Sequence, residues 1–369
     1  MFKRHLLKHT EKDSGMLRKD LPKSYHRRCP MRLYSGMDLH STNTYTAIMD
    51  ENRKRVIDHR LPNQPKVILD FLEPYRADLE GIVIESTYNW YWLVDLLQEN
   101  GYRVHLANPS AIQQYSGLKH VDDRHDAFWL AELLRLGLLR EGYIYPKEVR
   151  PIRDLLRKRA HLGRLRTSLL LSAQNIVLRN QAIKVASKDI KKLTADLLTP
   201  HLQESEGLFL TGKISKELID AFTRQIKTIE TWVMKRLQPH KLFLNLLTIP
   251  GVGEILAMTI LLETGCIARF PKVGNYVSYC RLVASQRISN DKVKGKGNDR
   301  NGNKYLAWAF SEAAEHARRH YPMCRAFYNR KLQQKNGRVA HCALARKLSR
   351  AAYYIQKDQV AFDESRLFC

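Results

Sequence analysis

Asp123 and Asp126 stand three residues apart in KHVDDRHDAFWLAELLRLG, with Asp122 directly before them. Residues i and i+3 of a helix project from one face, roughly 5–6 Å apart at Cβ. Acids at a helix start satisfy free N–H groups and suit the positive dipole end, so capping is one reading of the cluster. One Asp suffices for that, and Asp122 is read as the cap. The other two repel each other unless a lysine or a divalent metal neutralises them. Two further acids stand where a strand would take Val, Ile or Thr: Asp38 in GMDLH and Glu85 at the end of the apolar run LEGIVIEST. A carboxylate in a half-buried strand needs a partner charge or stays protonated. Four converging acids can hold two Mg2+ ions roughly 3.5–4 Å apart, which polarise a scissile phosphate and stabilise the attacking and leaving oxygens. Mg2+ prefers hard oxygen ligands and keeps several waters, so a few carboxylates suffice. His40, His120 and His125 lie beside the acids and are read as structural residues or phosphate contacts.

The elements that must position these acids follow from the surrounding pattern. RLYSGMDLHS, NTYTAIMDE and KRVIDHRLP are three β-rich runs separated by turn residues, an antiparallel meander. A helix near Gln64–Tyr75, the strand ending at Glu85, the helix NWYWLVDLLQEN and the strand YRVHLAN come next, and helices then carry PSAIQQYSG and the acidic stretch. This order predicts a mixed sheet with helices on its faces and a site at the strand ends. From Pro146 to Gln181 the chain reads as one long helix. Ile152, Leu155, Leu162, Leu165, Leu169, Ala173 and Ile176 form its seam, and Arg153, Arg157, Lys158, Arg159, Arg164 and Arg166 crowd its other faces. The seam packs against a helix around Ser215–Leu237 or against a second subunit; both remain open.

A compositional break follows Gln238-Pro239. In Pro250-Gly251-Val252-Gly253 the glycines Gly251 and Gly253 resemble those of a helix-hairpin-helix module, where backbone approaches a phosphate. The polar loop SQRISNDKVKGKGNDRNGNK follows, then three helices in which Arg and Lys alternate with aromatics, as suits nucleic acid. The chain divides into a basic flexible arm (1–31), a catalytic α/β domain (32–145), a helical segment (146–239) and a mostly helical C-terminal domain (240–369).

Lys and Arg total 62 against 37 Asp and Glu in 369 residues, a net charge of +25. Solubility does not need so large an excess, and a polyanion is the natural partner, nucleic acid above all. No run approaches the ~20 apolar residues that cross a bilayer. The N-terminus lacks a secretory apolar region, and the six cysteines form no CxxC pair, so an unexported protein with reduced thiols is expected.

Asp38, Glu85 and the Asp-x-x-Asp-Ala of Asp123, Asp126 and Ala127 resemble the acidic tetrad of the DEDD insertion-sequence transposases, the IS-one-ten family. IPGVGEILAMTILLETGCIARF and KGNDRNGNKYLAWAFSEAA resemble that family's second conserved region. The two sets occur in the family's order over roughly residues 32 to 320. The resemblance implies an N-terminal RuvC-like (RNase H-like) domain, a long coiled-coil segment and a C-terminal transposase domain. It implies Mg2+ on Asp38, Glu85, Asp123 and Asp126, and a serine that links covalently to DNA. It also implies a structured bridge RNA pairing with donor and target DNA, and homodimers pairing as tetramers in a prokaryotic cytoplasm, at the nucleoid when acting.

The family pattern of roughly Gly-Leu-x-Pro, a few residues, Ser-Gly or Ser-x, a basic stretch, then Gly-Asn and a helix places Ser289 in the serine slot, with Ser285 as the alternative. Arg281, Ala284 and Asn290 depart from it, standing for the first glycine, the proline and the glycine after the serine. Arg287, Lys292, Lys294 and Lys304 are then phosphate contacts near a site assembled from two domains. The expected function is that of an RNA-guided DNA transposase. A Holliday-junction-type nuclease without a covalent step, and a non-catalytic nucleic-acid scaffold, are the rivals.

Overall fold

In the computed structural model, residues 31–111, 122–192, 205–237, 240–295, 297–298 and 301–367 are described. Residues 1–30 of the basic arm and His120 therefore lie outside the described residues, as does most of PSAIQQYSG, of which Pro109–Ala111 forms a 3-10 turn. The three β-rich runs are strands β1 (Leu33–Leu39), β2 (Asn43–Asp50) and β3 (Arg55–Pro62), paired antiparallel in chain order. Helix α1 (Pro65–Leu72) leads to β4 (Leu79–Glu85), and α2 (Tyr91–Glu99) leads to β5 (Val104–Ala107). Both later strands pair parallel, giving the order β3-β2-β1-β4-β5. The antiparallel meander thus continues into a parallel half, and β1 and β4 end side by side.

Period-two burial sorts β1 between two layers. Leu33, Met37 and Leu39 face a core shared with Ile68, Leu72, Leu93, Val94 and Leu97 of α1 and α2. The opposite face carries α3 (Asp123–Arg135), whose Ala127, Phe128 and Ala131 pack on Ala47 and Met49. Gly36 sets the distance of that layer. A Cβ there would overlap the Ala127 carbonyl oxygen and lie 2.8 Å from the Ala131 nitrogen, so only glycine lets α3 sit this close to β1. Gly36→Val is expected to cost about 1–3 kcal/mol, as overpacked sites do. Urea unfolding checks this, and a loss below the lower bound would mean the helix can retreat freely.

The chain divides into two compact units between Ile144 and Tyr145. In the second, α4 (Arg150–Gln181), the short α5 (Ser187–Lys192) and α6 (Glu206–Leu237) precede the C-terminal helices. Arg159 pairs with Glu230 and Arg166 donates to Thr223, so α4 and α6 run antiparallel within one chain. The buried stripe of α4 differs from the expected seam. Leu156, Leu170, Ala173 and Val177 are buried while Leu165 is exposed, because leucines at adjacent positions offer two overlapping stripes and α6 covers the later one. After α7 (Lys241–Leu247) comes α8 (Glu254–Thr264), apolar on all sides and correspondingly buried on all sides. Helices α9 (Val273–Tyr279), α10 (Lys304–His320), α11 (Pro322–Gln334) and α12 (Gly337–Asp358) complete a core that α4 and α6 share through Leu156, Ile229 and Val233. The polar loop contains a hairpin of β6 (Arg287–Ser289) and β7 (Lys292–Gly295). Among the described residues no helix is long and apolar enough to cross a membrane.

Candidate active site

The parallel pairing of Met37 with Ile84 makes Asp38 and Glu85 the next level of the ladder, at the carboxyl ends of β1 and β4. Asp38 is only 7% exposed. Beyond it, the His40 carbonyl accepts from Asn63 Nδ2 at 3.0 Å and Asn89 Nδ2 at 2.9 Å, which ties the ends of β1 and β4 together. Helix α3 brings the other acids. Asp122 is its N-cap, accepting from the His125 N–H at 2.8 Å, and Asp123 and Asp126 occupy the first turn. With Ala127 seated over Gly36, Asp123 falls one turn back, toward Asp38.

His40 links the two acids. Its Nε2 lies 3.2 Å from Asp38 Oδ2 and 3.3 Å from Asp123 Oδ1. Ligand atoms of Asp38, His40 and Asp123 all lie within 4.8 Å of one another. His40 thus belongs to the cluster itself, where sequence reading made it a neighbour. Arg60 was not foreseen at all. Its Nη2 donates to Asp123 Oδ2 at 2.7 Å, and on the same helix turn Arg124 pairs with Asp58 at 3.0 Å. Both arginines hold the start of α3 to β3.

Burial raises the Asp38 carboxyl above its usual value; the His40 ring opposes this, while the charges of Asp126 and Asp123 add to it. Glu85 is raised likewise, first by burial and then by Asp38 and Asp126. Asp38 thus feels the charges of Asp126 and Asp123, and Glu85 those of Asp38 and Asp126; Glu85 and Asp126 are not part of the group whose ligand atoms come within 4.8 Å of one another. Crowded hard-oxygen ligands whose ionisation is penalised are a donor set that a divalent ion fits. The sign for stability follows from the raised values. At low pH these carboxyls are protonated in both folded and unfolded chains. As pH rises from the ordinary values of 3.8 and 4.5 through the raised folded ones, stability falls. Without metal, Asp38→Asn is expected to unfold at higher urea than the parent at pH 7, with the gap closing toward pH 4. Equal midpoints at pH 7 would show that the cluster is not strained.

The serine loop is built differently. Ser289 ends β6 opposite Lys292, on an exposed two-residue hairpin whose central residues Asn290 and Asp291 have φ of 51° and 54°. Positive φ at both positions is the type I′ geometry, which favours Asn, Asp and Gly. Arg287, Lys292 and Lys294 are exposed on the same hairpin, and Lys304 opens α10 with its ammonium 5.4 Å from the Tyr305 ring centroid. Ser285 is half-buried, and its Oγ donates to the Gly297 carbonyl at 3.4 Å.

Two features of this unit change the sequence reading. Gly251 has φ of 77°, and a Cβ there would overlap the Ala313 carbonyl and lie 2.6 Å from the Ala317 nitrogen. Close packing on α10 thus accounts for Gly251. Gly253 caps α8, where Glu254 places a carboxylate in the first turn and disfavours a phosphate. Glu263, not foreseen, is 2% exposed and accepts from Arg153, from Arg157 at 2.6 and 2.8 Å, and from Asn303 at 2.7 Å. It consumes two arginines that sequence reading left on an outer face. The signal was available, since Glu263 is the sole charged residue between Ile255 and Gly265.

Residues 35–181 match a family model for the DEDD class of IS110, described as a transposase, and residues 244–329 match one described as the transposase IS116/IS110/IS902 family. A curated relative, the insertion element IS110 uncharacterized 43.6 kDa protein of Streptomyces coelicolor, is 27% identical over 153 residues. That stretch covers 42% of this chain and 34% of the relative.

Proposed function

Because the chain belongs to the IS110 family of transposases, we propose that it breaks and rejoins DNA strands, with Asp38, Glu85, Asp123 and Asp126 as a Mg2+-binding tetrad and Ser289 as nucleophile. One observation carries the metal reading: the buried Asp38 carboxylate lies in a ligand-sized group with His40 and Asp123, and the charges of Asp123 and Asp126 add to the penalty on its ionisation, which a bound divalent ion would offset. When bound, Mg2+ supplies electrophilic activation of the phosphate. The chain's own groups do the rest. The carboxylates fix the ion, and His40 and Arg60 hold Asp38 and Asp123 in place.

Support for Ser289 comes from the backbone. In the family pattern a glycine stands where this chain has Arg281, and another directly follows the serine, where it has Asn290. Both residues adopt left-handed φ, 56° and 51°, the region glycine occupies without strain. Positive φ at these two positions is compatible with glycines there and supports reading Ser289 in the serine slot. In the reaction the Ser289 oxygen bonds to phosphorus while one backbone P–O ester bond breaks, and the serine proton passes to the departing strand. A strand hydroxyl then attacks the same phosphorus, and the serine oxygen leaves and is reprotonated. One ester replaces another at each step, so no nucleotide cofactor is needed. The charge of +25 suits DNA and a structured guide RNA together, with dimers pairing as tetramers as the family resemblance implies.

The test is a denaturing gel of protein, Mg2+, RNA from the element's flank and donor plus target DNA. The expected result is a protein–DNA adduct that vanishes in Ser289→Ala and persists in Ser285→Ala. Metal-dependent cleavage without an adduct, unaffected by Ser289→Ala, would replace the serine with water and make the protein a junction-type nuclease. DNA binding with no metal-dependent breakage would leave a scaffold.

A further inference from the structure

His40 stands inside the acidic cluster on a backbone that is held from both sides. Its N–H donates to the Asn43 carbonyl at 2.9 Å, and its own carbonyl accepts from the Asn63 and Asn89 amides. Asn43 starts β2, Asn63 follows β3 and Asn89 lies in the turn after β4, so His40 is tied to three strand ends around the site. Two residues apart at the end of β1, Asp38 and His40 send their side chains to one face of the sheet. Although 42% of the His40 side chain is exposed, Nε2 itself is buried, 3.2 Å from Asp38 Oδ2 and 3.3 Å from Asp123 Oδ1.

Both separations are longer than a charge-assisted N–H···O bond, which closes to about 2.7–2.9 Å. Arg60 makes such a bond to Asp123 Oδ2 at 2.7 Å. One ring nitrogen has a single hydrogen or a single lone pair, and it cannot direct either at two acids. The spacing instead matches neighbouring ligands of one divalent ion. With bonds of about 2.1 Å, adjacent corners of an octahedron or a tetrahedron stand about 3.0–3.4 Å apart. Arg60 occupies Oδ2 of Asp123 and leaves Oδ1, the oxygen beside His40, for an ion. The nitrogen changes which ion fits. Mg2+ takes hard oxygen ligands and water, whereas imidazole nitrogen suits the first-row transition ions.

We propose that His40 ligates a divalent ion through Nε2 together with Asp38 and Asp123, and that this nitrogen makes the position favour a transition ion such as Mn2+ over Mg2+. The inference rests on the proposed metal-binding role of the acids and adds to it a ligand that no acid supplies. Glu85 and Asp126 lie outside this three-residue group, so the nitrogen belongs to one side of the cluster alone.

The experiment titrates the full-length protein with Mn2+ and reads it by pulsed EPR, which detects nitrogen bonded to the ion independently of catalysis. The expected result is a nitrogen coupling that changes when the protein is made with nitrogen-15 histidine and that disappears in His40→Gln. In that variant the Mg2+ concentration that displaces half of the Mn2+ should fall about ten-fold, the scale of one contact at a metal site. His40→Asn repeats both readings should the glutamine variant fail to fold. Two results overturn His40 as a ligand and leave the acidic tetrad standing. One is Mn2+ that is lost in Asp38→Asn yet shows no nitrogen coupling, and the other is a coupling that survives both His40 variants. Mn2+ binding that is absent, or indifferent to Asp38→Asn, overturns the tetrad together with this proposal.

Discussion

Asp38→Asn is expected to lower DNA strand breakage by ~10²–10³-fold, the scale on which one preorganised electrostatic contact to a phosphoryl transition state counts. The substitution keeps the volume and removes one charge from the pair that Asp38 and Asp123 form around His40. Single-turnover cleavage at saturating protein measures it, with DNA affinity as the control. Affinity should hold, because the acids contribute no positive charge to the phosphate grip. The same variant is expected to be the more stable protein at pH 7 without metal, since it relieves a buried carboxylate raised by its neighbours. A more stable and inactive variant is what a strained catalytic cluster produces. Cleavage within ten-fold of the parent would sink the tetrad.

Glu263→Ala should be the most damaging single change outside that cluster, at about 3–5 kcal/mol, the usual cost of leaving buried charges unpaired. Arg153 and Arg157 would lose their acceptor, and the Asn303 amide would lose its own. Asn303 also caps α10, accepting from the Tyr305 and Leu306 N–H groups, so the damage extends to the end of the serine loop. Thermal melting is the check, with a drop of roughly 10 °C expected for a unit of this size. Burial would raise the Glu263 carboxyl, but the hydrogen bond from Arg157, the charges of Arg153 and Arg157 and the Asn303 amide together hold it below the ordinary 4.5. Its contribution is therefore present above that pH and fades as pH falls through the lowered value. Glu263→Gln should melt with less acid dependence than the parent. A loss under 1 kcal/mol in Glu263→Ala would mean the arginines find water instead.

Much of the sheet was legible because its signals are local. Alternating β-branched residues and turn residues located the strands, and an acid ending an apolar run marked Glu85. Asp122 could be read as a cap from its place before the helix. Contacts that depend on pairing between distant strands could not be read this way. Arg60 reaches Asp123 only because β3 lies beside β2, and nothing around Arg60 distinguishes it from other exposed arginines. Gly36 looked like any glycine in a strand until α3 was seen against it. On α4, neighbouring leucines made the buried stripe ambiguous, and arginines counted as solvent-facing turned inward to an acid more than a hundred residues away. Gly251 was legible as a turn, while its purpose was not, since the Ala313 backbone that demands it comes much later in the chain.

The acids of the site come from β1, β4 and the first turn of α3, so no short piece of the chain contains them all. During synthesis the N-terminal unit can fold as soon as it clears the ribosome. Chains released before Asp126 lack part of the proposed donor set, and chains released before Ser289 carry that set without the nucleophile proposed to use it. If the protein breaks DNA as proposed, interrupted translation would therefore yield fragments unable to complete the strand exchange, a safeguard that follows from the order of the elements alone.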